Sequence, residues 1–447
     1  MKGNLMKILI TRVGPWSDKG MAAITLSMVK ALMEKLPNAS IRISEPVPQE
    51  VDVTKYREYG LEVLSGMFPA VHSATFKLKF IKFRAIKAVV LLPLLLYSMA
   101  RYTLWLALYK GFRIDAGVLI ADAKDVVREY RESDWIIFSG GQHIMNISPG
   151  LLTILYEIIF GKLLGKPVMM YAQSFGPFNP KYARWLIKWV LNKVDLITTR
   201  EELSMVWLNH IGVASRVFTT ADAAFILPSI SKQEAMILVE YETGIPQGEL
   251  MIGVTAIHHV PDQEYAEDKM EGYIAALAGA IDYIITRLNA HVIFFPHVTY
   301  TPGKDDRITS ARIFDKIQDK SKVIVVTKDY TPEQLKSMYG CMSIFIGSRF
   351  HSCIFALSMN VPTITIEYHG HKAMGIMKML DLDDYVCNFN TVTAEDLILK
   401  IDKIWEEKER VREELKRKID IMQGKSRENV QLAMEYLGLA NHISSSM

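Results

Sequence analysis

The chain has 447 residues, of which 50% are hydrophobic and 23% are charged. This composition excludes a disordered protein, and the length suits two domains of ordinary size. The formal net charge of +3 is too small to indicate a nucleic-acid-binding protein. Three dispersed cysteines, Cys341, Cys353 and Cys387, lack metal-ligand spacing and fit a reducing compartment rather than a disulfide scaffold.

The chain begins with an alternation of strand and helix. Residues 6–11 have the apolar pattern of a strand, and residues 21–36 repeat apolar residues at helical spacing. The loop between them contains Asp18 and Gly20, and small residues there would let a ligand approach the amides at the helix start. Gly20 is therefore a candidate substrate contact, although an ordinary loop between a strand and a helix is an equal alternative. The loop lacks the glycine spacing of a dinucleotide-binding fold.

A basic and apolar segment interrupts this alternation between residues 76 and 112. Its basic residues come first: Lys77, Lys79, Lys82, Arg84 and Lys87. Apolar runs at 88–100 and 102–109 follow, but Pro93 and Arg101 fall within the roughly 20 residues that a transmembrane helix needs, which disfavours a single span. The slightly favoured interpretation is a buried helical hairpin of the first domain. The alternative is peripheral docking of residues 77–109 on an anionic cytoplasmic leaflet.

The protein is expected in the cytoplasm, with the inner face of the cell membrane as a further location if this segment docks there. No cleavable signal peptide is evident, because the first apolar stretch is short and continues into a strand.

Glycines and a histidine follow the strand predicted at 135–138. Gly140 and Gly141 would permit close approach of a ligand at the carboxyl end of that strand. His143 would lie at the same edge as a second acid/base group or phosphate contact, although a histidine in a polar loop is more often structural or exposed.

The helix predicted at 181–193 places Trp185 and Trp189 on adjoining turns, where they are more consistent with core packing than with a sugar-binding platform.

Arg200 stands at the end of the strand predicted at 195–199. An ion pair with the adjacent Glu201-Glu202 is a structural role that this position supports.

A polar linker after residue 228 marks the predicted boundary between domains 1–228 and 229–447. The last helices of the second domain are expected to pack back on the first.

Strand and helix alternate again in the second half. Residues 251–256 and 291–295 are predicted strands with a long helix between them at 271–288. The second strand delivers His297 to the ligand edge, where a contact with ligand and a structural role are equally supported. Thr331 and Pro332 begin a capped helix that leads into the central motif.

The stretch from Ser343 to Lys372 reads SIFIGSRFHSCIFALSMNVPTITIEYHGHK and organises the second half. It is typical of a strand, a turn, a helix at 353–359 and a second strand, a unit that binds ligands at the carboxyl ends of its strands. Arg349 offers a planar fork of donors for carboxylate or phosphate, and His351 can carry a proton near neutral pH. The alternative is that Arg349 pairs with a structural carboxylate and His351 caps the helix.

These motifs together resemble the polysaccharide pyruvyl transferase family. The resemblance includes G-S-R-F-H-S, V-P-T-I-T-I and the trailing Lys372 and Gly375. It extends through earlier landmarks in the family's order: residues 7–11, 20–23, 139–141, 173–177, 199–204 and 221–225. The family more often has a third glycine where Gln142 stands.

The resemblance implies two Rossmann-like α/β domains that face a central cleft, the GT-B architecture. The implied reaction transfers pyruvate from phosphoenolpyruvate to a glycan or lipid-linked glycan, forms a ketal and releases phosphate. Arg200 and Arg349 would hold the donor, and His351 would be the acid or the phosphate contact. His143 and His297 would assist, Lys372 would supply a further charge, and the chemistry needs neither a metal nor a cofactor.

Two alternatives remain open at this point. On the same architecture, a nucleotide-sugar glycosyltransferase would hold a diphosphate with Arg349 and Lys372, and Asp305 or Asp306 would touch ribose or sugar. A membrane-docked glycan-binding protein that has lost catalysis is the second alternative. The presence of Arg200, Arg349 and His351 argues against that loss.

Overall fold

The computed structural model describes residues 5–77, 84–145, 148–179, 181–258, 266–299, 304–368 and 372–439, with all of their side chains except those of residues 76 and 84–88. The chain divides into two compact units. Unit 1 comprises residues 1–16, 28–222 and 427–447, and unit 2 comprises residues 17–27 and 223–426. Each unit contains one parallel sheet with helices, so the predicted class of two α/β domains is confirmed.

The sheet of unit 1 follows the order β3-β2-β1-β4-β6-β7-β8, and β5 pairs with β6. Its strands are β1 (Lys7–Thr11), β2 (Ser40–Glu45), β3 (Glu62–Ser65), β4 (Trp135–Phe138), β5 (Gly141–Ile144), β6 (Val168–Phe175), β7 (Leu196–Thr199) and β8 (Val217–Thr219). Its helices include α2 (Glu50–Glu58), α3 (Pro69–Lys77), α4 (Arg84–Phe112), α5 (Lys124–Glu132), α6 (Pro149–Leu163), α7 (Lys181–Leu191) and α8 (Glu202–Ile211). Strands β4 and β6 are buried along their whole length, as expected for a parallel sheet covered on both faces.

The sheet of unit 2 follows the order β11-β10-β9-β12-β13-β14. Its strands are β9 (Met251–Thr255), β10 (His291–Phe294), β11 (Val323–Val325), β12 (Ile344–Gly347), β13 (Thr363–Glu367) and β14 (Val386–Asn388). Its helices include α9 (Lys232–Thr243), α10 (Ala266–Leu288), α11 (Asp306–Lys316), α12 (Pro332–Tyr339), α13 (Phe350–Ser358) and α14 (Lys372–Met379). The strand order reverses between β9 and β12, and ligands bind at such switch points beyond the carboxyl ends of the strands.

Two helices contain residues of both units. Helix α1 (Lys19–Lys35) begins in unit 2 and ends in unit 1, and α15 (Ala394–Tyr436) begins in unit 2 and ends in unit 1. The predicted ranges 1–228 and 229–447 treat each domain as one continuous stretch, whereas the units are discontinuous and change at residues 222 and 223. The predicted polar linker also contains α9, whose start is fixed by a capping box between Ser231 and Glu234.

The basic and apolar segment contains one long helix, α4, with Pro93 inside it. The favoured interpretation as a buried hairpin is wrong for residues 84–112, because this stretch is a single helix with exposed apolar side chains on one face. By length and composition alone, Val89–Phe112 also qualifies as a membrane span. Residues 78–83 of the segment lie outside the described residues.

The assignment of Trp185 and Trp189 to the core is wrong, because both side chains are exposed. They lie on α7, which buries Ala183, Ile187 and Val190 instead. The spacing of the tryptophans is helical, but it follows the outer face of the helix rather than the inner one.

Asn429 ties the end of α15 to the strands of unit 1. Its Oδ1 accepts hydrogen bonds from the hydroxyls of Thr198 and Thr220, at 2.5 and 2.8 Å, and its Nδ2 donates to the carbonyl of Ala221 at 3.1 Å. The side chain is fully buried. The amide therefore contributes three buried hydrogen bonds that hold the end of α15.

We expect Asn429→Ala to lower the free energy of unfolding by about 2 to 3 kcal/mol, because it removes three buried hydrogen bonds of about 1 kcal/mol each. Gln431→Ala, an exposed substitution two residues along the same helix, should change it by less than about 0.5 kcal/mol. Chemical denaturation of both variants measures the difference. Equal stabilities of the two variants would show that Asn429 does not anchor the helix.

Candidate active site

The carboxyl edge of the unit 2 sheet collects charged side chains near the switch point between β9 and β12. The turn after β12 is held by hydrogen bonds: the Ser348 amide donates to the Thr255 carbonyl at 3.1 Å, and the Ser348 and Tyr273 hydroxyls lie 2.6 Å apart. Helix α13 begins at Phe350, three residues before the predicted start at Cys353, with Arg349 as its N-cap residue. His351 consequently lies in the first helical turn.

Arg349 makes a buried ion pair with Asp306. Its Nε donates to Asp306 Oδ1 at 3.0 Å, and its Nη2 donates to the same oxygen at 2.5 Å and to the Lys304 carbonyl at 3.2 Å. Asp306 also accepts the backbone amides of His297 and Val298, at 3.1 and 2.8 Å. The alternative in which Arg349 pairs with a structural carboxylate therefore holds for its Nε and Nη2 atoms.

His297 follows β10 and is buried next to this ion pair. Its Nδ1 lies 3.3 Å from the hydroxyl of Tyr339, while its Nε2 is buried without a hydrogen-bond partner among the described residues. Burial lowers the pKa of His297 to about 3, although the nearby Asp18 opposes the shift. The imidazole is therefore neutral at pH 7, and its Nε2 remains available for a ligand.

The loop before α1 pairs with the loop after β10. The Lys19 amide donates to the His297 carbonyl at 3.1 Å, and the Thr299 amide donates to the Ser17 carbonyl at 2.9 Å. The buried Lys19 ammonium forms an ion pair with Asp329 at 2.9 Å. These contacts hold Asp18 beside His297, and Asp18 Oδ1 caps α1 by accepting the amides of residues 20 and 21 at 3.1 and 3.2 Å.

Gly20 lies against His351. A Cβ atom on residue 20 would overlap the imidazole, so the ring keeps its position only because this residue is glycine. Burial raises the pKa of Asp18, but His351, His297 and Arg349, together with the Met21 amide, outweigh it and lower the pKa below its usual value. Asp18 is thus an ionised carboxylate in the electrostatic field of His351.

Lys372 lies beside Phe350, the residue that follows Arg349 and precedes His351. Its Nζ is 5.3 Å from the ring centroid of Phe350 and 5.9 Å from that of Tyr368. It is the first residue of α14, whose start is fixed by Glu367, which accepts the amides of Ala373 and Met374. Five predicted site residues therefore belong to unit 2: Gly20, His297, Arg349, His351 and Lys372.

The remaining predicted site residues belong to unit 1. Arg200 is buried and pairs with Asp222 at 2.7 Å, and its Nε donates to the Ser174 hydroxyl at 2.8 Å. The alternative to ligand binding was an ion pair of Arg200 with Glu201-Glu202. The carboxylate of Glu201 caps α8 by accepting the Ser204 amide at 2.8 Å. Arg200 thus has a buried acidic partner, and its role in donor binding stays a prediction.

Gly140 and Gly141 follow β4, and Gly141 begins β5 rather than lying in the predicted loop. His143 lies in the same strand, and a Cβ atom on Gly141 would overlap its ring. Gln173 stabilises this turn by donating from Nε2 to the carbonyls of Phe138 and Ser139. Ligand contacts of the two glycines and the acid/base role of His143 stay predictions.

Sequence reasoning noted Asp18 in its loop but missed it as a site residue. Asp18 directly precedes the observed start of α1 at Lys19, and an aspartate in that position is a capping signal, but the helix was predicted to begin two residues later, at residue 21. Asp306 was considered only as a sugar contact in the glycosyltransferase alternative. Its pairing with Arg349 joins residues 43 positions apart, and neither residue carries a local signal for the other.

A sequence profile of the family described as polysaccharide pyruvyl transferase matches residues 22–370. The amylovoran biosynthesis protein AmsJ of Erwinia amylovora is 24% identical over 262 residues, which are 58% of this chain and 62% of that protein. The match therefore spans less than two thirds of that relative.

Solved structures share the fold at low sequence identity. UDP-GlcNAc 2-epimerase from Neisseria meningitidis superimposes with a TM-score of 0.56 at 12% identity, covering 96% of this chain and 100% of the other. UGT2 of Phytolacca americana, complexed with UDP-2-fluoro-glucose and pterostilbene, gives a TM-score of 0.54 at 11% identity, covering 96% and 99%. These likenesses confirm the predicted GT-B-like fold.

His297 gives the folded protein a pH dependence of defined sign. Its pKa is 6.5 in a model peptide and about 3 in the fold, so below pH 6.5 the unfolded chain binds a proton that the folded chain excludes. The free energy of unfolding therefore decreases as the pH falls from 6.5 towards 3.

We expect His297→Gln to make the decrease in Tm between pH 6.5 and pH 4 shallower. His210→Gln, at an exposed site, should leave the slope unchanged, and identical slopes in all three proteins would contradict the assignment.

Proposed function

Because the chain belongs to the polysaccharide pyruvyl transferase family, we propose that it transfers pyruvate from phosphoenolpyruvate to a sugar of a cell-surface polysaccharide or of its lipid-linked precursor. The observation that supports this proposal is the grouping of His351, Asp18, His297 and Arg349 at one strand edge of unit 2. Such a group offers a proton carrier, a counter-charge and an anion-binding cation within one site. The reaction takes place in the cytoplasm, where phosphoenolpyruvate is available.

The proposed reaction needs a proton at one carbon of the donor and an acceptor oxygen at the next. The methylene carbon of phosphoenolpyruvate takes up a proton and becomes a methyl group, while one sugar hydroxyl forms a bond to the adjacent carbon. A second hydroxyl then bonds to that carbon as the bond to the phosphate oxygen breaks. Two hydroxyl protons are lost, of which one balances the methyl proton and the other leaves with phosphate.

His351 is the residue that donates the proton to the methylene carbon in this proposal. It occupies the first turn of α13, where its ring packs against Gly20. Asp18 supplies negative charge beside the imidazole when His351 carries a proton. His297 is neutral because its pKa is about 3, so it serves as a hydrogen-bonding partner rather than as a cation or an acid.

The donor's carboxylate and phosphate require positive charge and amide donors. Arg349 shares its charge with Asp306, so it binds an anion less strongly than an unpaired arginine would. The amides at the start of α13 and the ammonium of Lys372 complement it, because a helix N-terminus favours negative charge.

The contacts of two aspartates weigh against the glycosyltransferase alternative. Asp305 forms an ion pair with Arg307 at 2.5 Å, and Asp306 is fully buried against Arg349. The alternative assigned one of these two residues to ribose or sugar, and both carboxylates already have cationic partners. The likeness to enzymes that bind UDP-sugars concerns the fold and does not carry their substrates to this chain.

We expect phosphoenolpyruvate, and not UDP-, GDP- or CMP-sugars, to raise the Tm of the purified protein. A ligand at a hundredfold excess over its Kd adds about 2.7 kcal/mol to the free energy of unfolding, which a thermal-shift titration detects. Lys372→Met should weaken the effect, whereas Lys378→Met, an exposed lysine of the same helix, should not. A rise in Tm with a nucleotide sugar alone would replace this proposal with the glycosyltransferase.

His351→Gln should keep the Tm rise with phosphoenolpyruvate and lose turnover by about 10²-fold or more, because it removes the proton donor and leaves the anion-binding groups intact. The measurement is phosphate release with a glycan or lipid-linked glycan fraction that supports turnover by the unaltered protein. Full turnover by the variant would exclude His351 as the acid.

Gly20→Ala should lower turnover in the same assay, because the new methyl group displaces the His351 ring. Gly272→Ala is the matched control, since its Cβ would meet nothing within 4 Å in the middle of α10. That control should keep full turnover and gain about 0.5 to 1 kcal/mol of stability. Normal turnover in Gly20→Ala would show that the contact with His351 is not needed for catalysis.

A further inference from the structure

Helix α4 presents an apolar stripe to solvent along its outer face. From residue 89 to residue 107 the exposed residues recur at helical spacing: Val89, Val90, Leu92, Pro93, Leu96, Tyr97, Ala100, Thr103, Leu104 and Ala107. Thr103 is the only polar residue among them, and its hydroxyl donates to the Met99 carbonyl of the same helix at 2.8 Å. An uninterrupted stripe of this length is unusual on a protein surface that faces water.

Two neighbouring helices extend this surface. Helix α6 contacts both α4 and α7, and its partly exposed residues Leu152, Tyr156 and Ile159 are apolar. Helix α7 exposes three aromatic side chains at positions i, i+3 and i+7: Tyr182, Trp185 and Trp189. We call the exposed apolar and aromatic residues of α4 and α7 the apolar face. All three helices belong to unit 1.

Positive charge accompanies the apolar face. Residues 76–112 contain seven basic residues and no acidic one. Helix α7 and the residue after its end add exposed lysines, namely Lys181, Lys188 and Lys193. The ammonium of Lys193 lies 4.7 Å from the ring centroid of Trp189. Surfaces that lie in the interface of an anionic bilayer combine these features: they expose Trp, Tyr and apolar side chains next to Lys.

We propose that the apolar face docks unit 1 on an anionic membrane leaflet, with α4 lying along the surface and the tryptophans of α7 at the level of the headgroups. Basic side chains next to the face attract the negative surface potential, and the apolar stripe enters the boundary of the acyl chains. The proposal is independent of the reaction, because it concerns only lipid and protein.

The opposite face of α4 shows why the helix lies on the membrane rather than crossing it. Tyr102 is buried and donates to the Met67 carbonyl at 2.6 Å, and the indole of Trp105 donates to Asp115 at 2.9 Å. Arg101 pairs with Asp122 at 2.7 Å. A spanning helix would have to break these contacts and leave the aromatic core of the unit exposed.

Charge also distinguishes the membrane from a second copy of the chain. A symmetric dimer formed through this face would bring the basic residues of both copies into one interface, because each copy contributes the same surface. That arrangement brings like charges together as water is removed. An anionic leaflet offers the opposite charge and the apolar layer at once.

The test is co-sedimentation of the full chain with vesicles of phosphatidylcholine alone or of equal parts phosphatidylcholine and phosphatidylglycerol, without donor or acceptor. We expect binding to the anionic vesicles that weakens with added salt. Leu96→Glu/Leu104→Glu should reduce the partition coefficient at least tenfold, and Trp185→Ala/Trp189→Ala should reduce it several-fold. The matched control is Ile237→Glu/Leu399→Glu, which changes exposed apolar residues of unit 2 and should bind as the unaltered protein does.

Three results would overturn the proposal. The first is no binding to anionic vesicles, and the second is equal binding by Leu96→Glu/Leu104→Glu and its control. The third is a dimer in solution, measured by light scattering, that dissociates in the Leu96→Glu/Leu104→Glu variant while vesicle binding is absent. Circular dichroism of each variant checks that it is folded, and the exposure of the substituted side chains makes unfolding an unexpected outcome.

Discussion

Asp306 is the buried carboxylate on which the geometry of unit 2 depends. It joins three parts of the chain, because it pairs with Arg349 after β12, accepts the His297 and Val298 amides after β10, and lies in the first turn of α11. A charge without exposed surface is tolerable only when its oxygens are satisfied, and here they are. The ion pair thus fixes the start of α13 and the loop after β10 relative to each other.

The loop before α1 depends on that arrangement in turn. Its pairing with the loop after β10 requires the His297 carbonyl to be in place, and its glycine then makes room for the ring of His351. The histidine, the carboxylate of Asp18 and the arginine are therefore brought together with the help of backbone pairing and of a missing side chain at residue 20. The sequence suggested that Gly20 lets a ligand approach the backbone. In the structure it also lets the His351 ring pack against the backbone.

The fold was predictable because its signals are local. Strand β4 was predicted at its observed bounds, and the predicted cap at Thr331 begins α12 as expected. Helix α4 and the tryptophans of α7 were misjudged, because an apolar helical repeat shows that one face is apolar without showing whether protein covers it. The pairing of Arg349 with Asp306, and of residues 17–19 with 297–299, depends on contacts between distant parts of the sequence, which periodicity and spacing do not encode.

The discontinuity of the two units has a consequence for synthesis. Unit 2 needs residues 17–27, which leave the ribosome early, and it is complete only after residue 426 has followed. Unit 1 in turn lacks Asn429 until the last turns of α15 have emerged. Neither unit can reach its final state before the residues of α15 have been translated, so the first unit cannot fold completely ahead of the second. A nascent chain of this protein keeps both cores unfinished until α15 appears, so apolar surface of both units stays uncovered for longer than in a chain of two consecutive domains.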